Sequence, residues 1–192
     1  MSQTKAELLA GRDSPLTFPS GNGTAGQYLQ GDGAGALSWQ TVTSTSVAVI
    51  ADVKAQNTAG GTFTAGAWRT RDLNTEISDP DGIVTIASNQ FTLGAGTYLI
   101  HWECPAYRVN SHQSRLWDVT GSAVVENGMT RYDETTTIVG GISPGSAVVS
   151  PTANRTYEIQ HICNGGKTTN GFGVEGNLAQ ERYTRVTIWK VA

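Results

Sequence analysis

The sequence predicts an all-β protein whose main body is a sandwich, and three observations carry that prediction. From residue 46 onward apolar and polar residues alternate with period two, the repeat of a strand with one face buried. Turn chemistry interrupts these runs at short intervals. The composition is 38% hydrophobic and only 15% charged, with 23 glycines and few of the residues that fill amphipathic helices. Five tryptophans supply large faces to bury.

Along the chain, residues 2–10 read Ser-Gln-Thr-Lys-Ala-Glu-Leu-Leu-Ala, two turns of helix with Ser2 or Thr4 as cap and Gly11 as stop. An isolated helix this short is marginal in water, so it needs a partner surface. Residues 1–20 are therefore read as an attachment segment, anchored by Lys5, Leu8, Leu9, Leu16 and Phe18. Residues 21–45 form a glycine-rich tether, expected to be extended or looped because repeated glycine raises the entropy of ordering the chain. Tyr28, Leu29, Leu37 and Trp39 are too apolar for a pure spacer, which predicts that the arm packs when docked.

Residues 46–192 are the head. Ten strands are expected: 47–53, 66–73, 83–87, 90–93, 97–104, 114–120, 123–126, 136–142, 156–163 and 182–191. Asp79-Pro80-Asp81-Gly82, Leu93-Gly94-Ala95-Gly96-Thr97, Asn164-Gly165-Gly166 and Asn170-Gly171 are the turns between them. Val186, Ile188, Trp189 and Val191 load the C-terminal run with apolar bulk, so that run belongs in a sheet or a subunit interface.

Net charge of −3 gives no broad reason to bind nucleic acid or an anionic membrane. No apolar run reaches the roughly 20 residues that span a bilayer, and the N-terminus lacks the apolar core of a secretory signal. The expectation is a soluble protein assembled in a cytoplasm, without membrane insertion. Cys104 and Cys163 are the only cysteines; buried reduced thiols are the favoured reading and a disulfide the alternative.

Chemistry-bearing motifs are sparse. Residues 21–26 and 171–176 match G-x-G-x-x-G, but the strand and helix that a dinucleotide site needs do not flank them. His101 with Glu103, and His161 with Cys163, share strand faces without a zinc spacing, and Asp79 and Asp81 lack the further acids of a calcium loop. Ser111-His112 beside Asp118 or Glu126 is the nearest approach to a triad, with no nucleophile elbow. No catalytic residue, cofactor or metal is expected. Trp68, Trp102 and Trp117 are read as core or subunit packing, and Tyr107, Arg108, Asn110, His112 and Tyr132 as loop residues available for ligand contact.

Longer phrases carry a family likeness. Residues 23–40, Gly-Thr-Ala-Gly-Gln-Tyr-Leu-Gln-Gly-Asp-Gly-Ala-Gly-Ala-Leu-Ser-Trp-Gln, resemble the segment preceding C-terminal heads in tailed-bacteriophage fibres and related virion proteins. Residues 66–75, 90–98, 105–110, 158–163 and 170–173 resemble the C1q/TNF-like modules of those fibres, with Gly96-Thr97-Tyr98 similar to a turn leading into an aromatic-led central strand. The resemblance implies a jelly-roll β-sandwich behind a mostly non-regular arm. It also implies a homotrimer, in which Trp68, Tyr98, Trp102, Trp117, Phe172 and Trp189 serve packing. The expected setting is the virion surface, with the arm bound to capsid, neck or tail proteins. A head fibre or capsid decoration protein is the leading expectation; the alternatives are a receptor-binding tip for host-surface glycan or protein, and a prophage-derived lectin-like module.

Overall fold

The structure, a computed structural model, describes residues 16–41, 45–136 and 140–191. Lys5, Leu8 and Leu9 lie outside the described residues, as do residues 137–139 of the run read as 136–142. The chain divides into two compact units, residues 1–44 and 45–192.

In the first unit the stretch read as a looped connector contains a hairpin. Strands β1 (Gln27–Gly31) and β2 (Leu37–Thr41) pair antiparallel, and Thr17 joins them by donating to Gly35 O at 2.7 Å and accepting from Leu37 N at 2.8 Å. The turn is local chemistry: Asp32 Oδ1 accepts from the amides of Ala34 and Ala36. Trp39 donates its indole N–H to Gly21 O at 2.8 Å and lies over Gly23, where a Cβ would meet the ring at 2.6 Å. The glycines thus admit a tryptophan against the backbone. Phe18, Tyr28 and Leu29 remain exposed.

The second unit is a two-sheet sandwich. One sheet has the order β12 (Gly140–Val149), β8 (Tyr98–Tyr107), β14 (Glu181–Lys190), β3 (Ser46–Lys54), β5 (Thr75–Ser78). The other runs β10 (Ala123–Asn127), β9 (Asn110–Asp118), β13 (Arg155–Cys163), β7 (Gln90–Leu93), β6 (Val84–Ala87). Two short strands complete it: β11 (Arg131–Asp133) continues β10 along β9, and β4 (Arg69–Thr70) continues β7 along β13. Inward residues of both sheets, among them Ile50, Phe91, Leu93, Ile100, Trp102, Leu116, Ile159, Val186 and Ile188, make the main core.

Trp102 shows how the two sheets are tied. It faces Gly145 across β8 and β12, and a Cβ at Gly145 would collide with its ring. Its indole N–H donates to Ser114 Oγ at 2.8 Å, and Ser114 in turn bonds Ser143, whose hydroxyl donates to Met129 O at 2.6 Å. A buried polar tip is thus satisfied by two serines from facing strands.

Several strands differ from expectation. Only Arg69 and Thr70 pair as a strand in the run read as 66–73, while the amides of Gly66 and Arg71 donate singly to β13, at Cys163 O and Ile159 O. The run read as 136–142 pairs instead over Gly140–Val149; Pro144 is accommodated because β12 is a sheet edge, and its carbonyl accepts from Met129 N. Strand β11 is too short to show a period, and β5 buries no face that could impose one. The Asp79 turn forms as read, with both carboxylate oxygens accepting backbone amides, and Ser88 and Asn89 take positive φ in the β6–β7 hairpin. Cys104 and Cys163 are buried free thiols, with burial pushing them up to about 12 and about 11.

Candidate functional site: the distal end of the sandwich

Strand register gives the head a polarity. Ser46 faces Lys190, Lys190 faces Tyr98, and Tyr98 faces Val149, so the chain enters and leaves the head at one end, the base. At the opposite, distal end, Lys54 faces Glu181, Tyr107 faces Gly140 and Cys163 faces His112. The long connections 55–68 and 164–180 project there.

Between β8 and β9 the chain switches sheets in two residues, with left-handed backbone at Arg108 (φ 56°) and Asn110 (φ 57°). This corner brings Tyr107, Arg108 and Asn110 together. Arg108 Nε donates to Thr135 O at 2.7 Å, and its Cζ lies 6.0 Å from the Tyr107 ring centroid. Tyr132, 65% exposed on β11, faces Ser111 in register beside Asn110. Four of the five side chains read as contact residues therefore share this corner.

His112 does not. It is 2% exposed and points inward, because β9 starts at Asn110 and alternation then buries His112, Ser114, Leu116 and Asp118. The sequence reading started that strand at residue 114 and left His112 in a loop. In the structure His112 Nδ1 lies 2.9 Å from His161 Nε2 and its Nε2 lies 3.0 Å from Asp133 Oδ2. Burial lowers the pKa of both imidazoles, partly offset at His112 by Asp133 and reinforced at His161 by Arg71.

Above this array sits a small second core of Phe63, Ala106, Val109 and Cys163, with Phe172 packed on it. Phe63 stacks on Phe172 at 4.3 Å and leans on His161 at 4.8 Å. Arg71, 1% exposed, runs beneath: Nε donates to Thr184 Oγ1 at 2.7 Å, Nη2 to Phe172 O at 2.9 Å, and its Cζ lies 4.2 Å from the Phe172 ring. Its burial had no sequence signal, because the run Arg69-Thr70-Arg71-Asp72 is polar and charged. The loop that carries Leu178, which is 92% exposed, is held by Glu181 accepting from the amides of Gly176 and Asn177 and by Gln56 donating to Asn177 O.

The residues read as packing divide into three groups. Tyr98 and Trp102 are in the main core, and Phe172 half-buried in the second. Trp68 and Trp117 are in neither: they sandwich Arg115 on the outer face of the β9 sheet, at 4.0 and 4.5 Å from its Cζ, while Arg115 donates to Gln160 Oε1. Odd-numbered β9 residues face outward once the strand begins at Asn110, which is why Trp117 leaves the core. Trp189 lies on the outer face of the other sheet, in a row with Val148, Leu99 and Val47 across four strands. Val148 is 65% and Leu99 38% exposed. Of the residues read as anchors, Leu16 is half-buried and Phe18 exposed.

Among the described residues no group of His, Cys, Asp and Glu side chains can hold a metal ion. The His–His–Asp array is sealed from solvent, and among the described residues no hydroxyl or thiol is hydrogen-bonded to it as a nucleophile would be.

Solved structures supply the fold comparison. The chain is similar to the globular domain of a zebrafish complement 1qA protein, with 12% identity, 77% of this chain and 98% of that one covered, and a TM-score of 0.50. It is also similar to murine APRIL, with 8% identity, coverage of 77% and 100%, and a TM-score of 0.52. Eiger TNF from S. frugiperda matches with 10% identity, coverage of 78% and 94%, and a TM-score of 0.55. The head is therefore an all-β jelly roll of the C1q/TNF-like kind. No family model matches the chain, and no curated protein does.

Proposed function

We propose that this protein is a homotrimeric, non-catalytic recognition module of a phage virion, carried by its N-terminal arm and meeting a host-surface glycan or protein with its distal end. The observation that carries the reading is the polarity of the head: its first strand starts and its last strand ends at the base, and the long connections lie at the other end. Loops on a rigid sandwich are where recognition residues are placed. Tyr107, Arg108, Asn110 and Tyr132 combine aromatic faces with charge and amide groups at one distal corner, a mixture suited to polar, ring-bearing ligands.

Support for the trimer is the apolar row Val148, Leu99, Trp189 and Val47 on the outer face of the five-stranded sheet, with Ile142 exposed further along the same edge strand. Water-facing apolar rows of this kind mark association surfaces. Three copies would raise avidity for a weak single-site ligand. The virion setting rests on residues 23–40 and on the exposed Phe18, Tyr28 and Leu29 of the arm, which are available to a particle protein. The same arm would serve a capsid decoration protein.

The test joins mass in solution to binding. The full chain is expected to run as a trimer by light scattering, and Leu99→Asp with Trp189→Asp to run as a folded monomer. Arg108→Ala with Tyr132→Ala should leave the trimer intact and lower binding to host cell envelopes at least tenfold. A wild-type monomer, or undiminished envelope binding by the distal double variant, overturns the respective half of the reading.

A further inference from the structure

We propose that His112, His161 and Asp133 form a proton-sensitive latch that holds the distal loops closed at neutral pH and releases them in acid. The array itself stands apart from the functional reading; only its consequence, control of the recognition surface, rests on that reading.

With both imidazoles neutral, as their burial favours, the hydrogen bonds admit one proton order. Asp133 Oδ2 accepts from Gly141 N at 2.8 Å and faces His112 Nε2 at 3.0 Å, so His112 carries its proton on Nε2. His112 Nδ1 then holds a lone pair and accepts from His161 Nε2–H at 2.9 Å. His161 Nδ1 is left as a bare lone pair, and it is a buried nitrogen with no hydrogen-bond partner. The array is thus complete when both histidines are neutral, with a single empty proton position at its far end.

A proton taken up there meets a hostile setting. His161 is fully buried against the Phe63 ring on one side, and the guanidinium of Arg71 acts on it from the segment before β5. Arg131 and Arg71 act on His112, with Asp133 the one carboxylate bonded to the array. Arg69 faces His161 across β4 and β13 and adds positive charge, Asp52 and Asp72 act on Arg71, and the Cys104 and Cys163 thiols are held protonated by burial and offer no counter-charge. An imidazolium at His161 therefore lacks both an acceptor and an adjacent anion.

What the array supports is the distal face. Asp133 pins Gly141 at the start of β12. His161 backs Phe63, and Phe63 holds the two long connections together: its amide donates to Lys167 O and its carbonyl accepts from Lys167 N, both at 2.9 Å, while its ring stacks on Phe172. Phe172 N donates to Gly61 O, and Gly61 N to Thr169 O. None of these contacts reaches the base, where the core is apolar. Local opening that exposes a histidine is favoured about tenfold per pH unit below its free value, for each ring that stays neutral in the closed state.

The test is amide hydrogen exchange of the full chain between pH 7.5 and 5.0, corrected for intrinsic rates. Opening at residues 61–63, 141 and 167–172 should rise at least tenfold, while Ala48, Ile100 and Ile188 near the base keep their protection. His161→Gln retains a donor toward His112 but does not titrate, and should flatten that response by about tenfold per unit. A flat wild-type profile, acid opening spread evenly over base and distal amides, or an undiminished response in the variant overturns the latch. Should the variant not fold, the histidine C2 protons of the wild type decide: a His161 titrating near 6.5 with the loops still closed sinks the idea, and loop opening coincident with its protonation sustains it. Exchange is read without ligand, so loss of envelope binding or of the trimer leaves this outcome unaffected.

Discussion

The base and the distal end of the head are built from the same strands but by different physics. At the base the interior is apolar apart from Asp118, which pairs with Arg155: Ala48, Phe91, Leu93, Tyr98, Ile100 and Ile188 pack between the sheets, and the apolar surface removed from water supplies the stability. At the distal end the apolar cluster is small, and beneath it lie a guanidinium, two imidazoles and a carboxylate, each buried and mostly hydrogen-bonded. Buried polar groups that are satisfied in one geometry only are poor sources of stability and good sources of conditional behaviour. The difference assigns the holding of the fold to one end and its responsiveness to the other.

The sharpest way to break the comparison is at Gly145. A valine there drives two methyls into the Trp102 ring between the sheets, and the main core must open to admit them; the expected loss is about 3–5 kcal/mol, on the scale of removing the tryptophan itself, measured by denaturant unfolding. A loss under about 1 kcal/mol would mean that the base core is far looser than its packing indicates.

Acid should probe the other end. Burial holds His112 and His161 below the ordinary 6.5, so the unfolded chain binds more protons in the window below that value. Stability is therefore full above about pH 6.5 and falls as pH drops, by up to about 1.4 kcal/mol per unit for each histidine that remains neutral when folded. Chemical denaturation at pH 7.5, 6.0 and 5.0 reads this directly. Stability that rises on acidification would contradict the burial of the pair.

The smallest effect is expected at Leu178. Its side chain is almost wholly in water and the loop around it is held by backbone and carboxylate bonds, so Leu178→Ser should shift stability by no more than about 0.5 kcal/mol in either direction. A larger loss would show that the distal loops draw stability from an apolar contact rather than from their hydrogen bonds.

How much of this was legible beforehand can be seen in a few residues. The Gln90–Leu93 strand and the Asp79 turn appear as read, because alternation over four residues and a Pro-Asp-Gly reversal are decided within their own windows. The corner residues Tyr107, Arg108 and Asn110 were legible as a surface break. His112 was not, since its direction depends on the strand beginning at a left-handed Asn110, and a shift of one residue reverses every side chain that follows. The hairpin in the arm was hidden by glycines whose need became visible only with Trp39 lying over Gly23.

By itself, then, the sequence determined that this chain is a β-sandwich with many tight turns and an arm before it, because period and turn preference act between near neighbours. Which tryptophans are inside, why an arginine and two histidines are sealed from water, and which end of the head carries the long connections were decided only when strands distant along the chain met. Register between such strands sets the face and depth of every side chain on them, and no local pattern contains it.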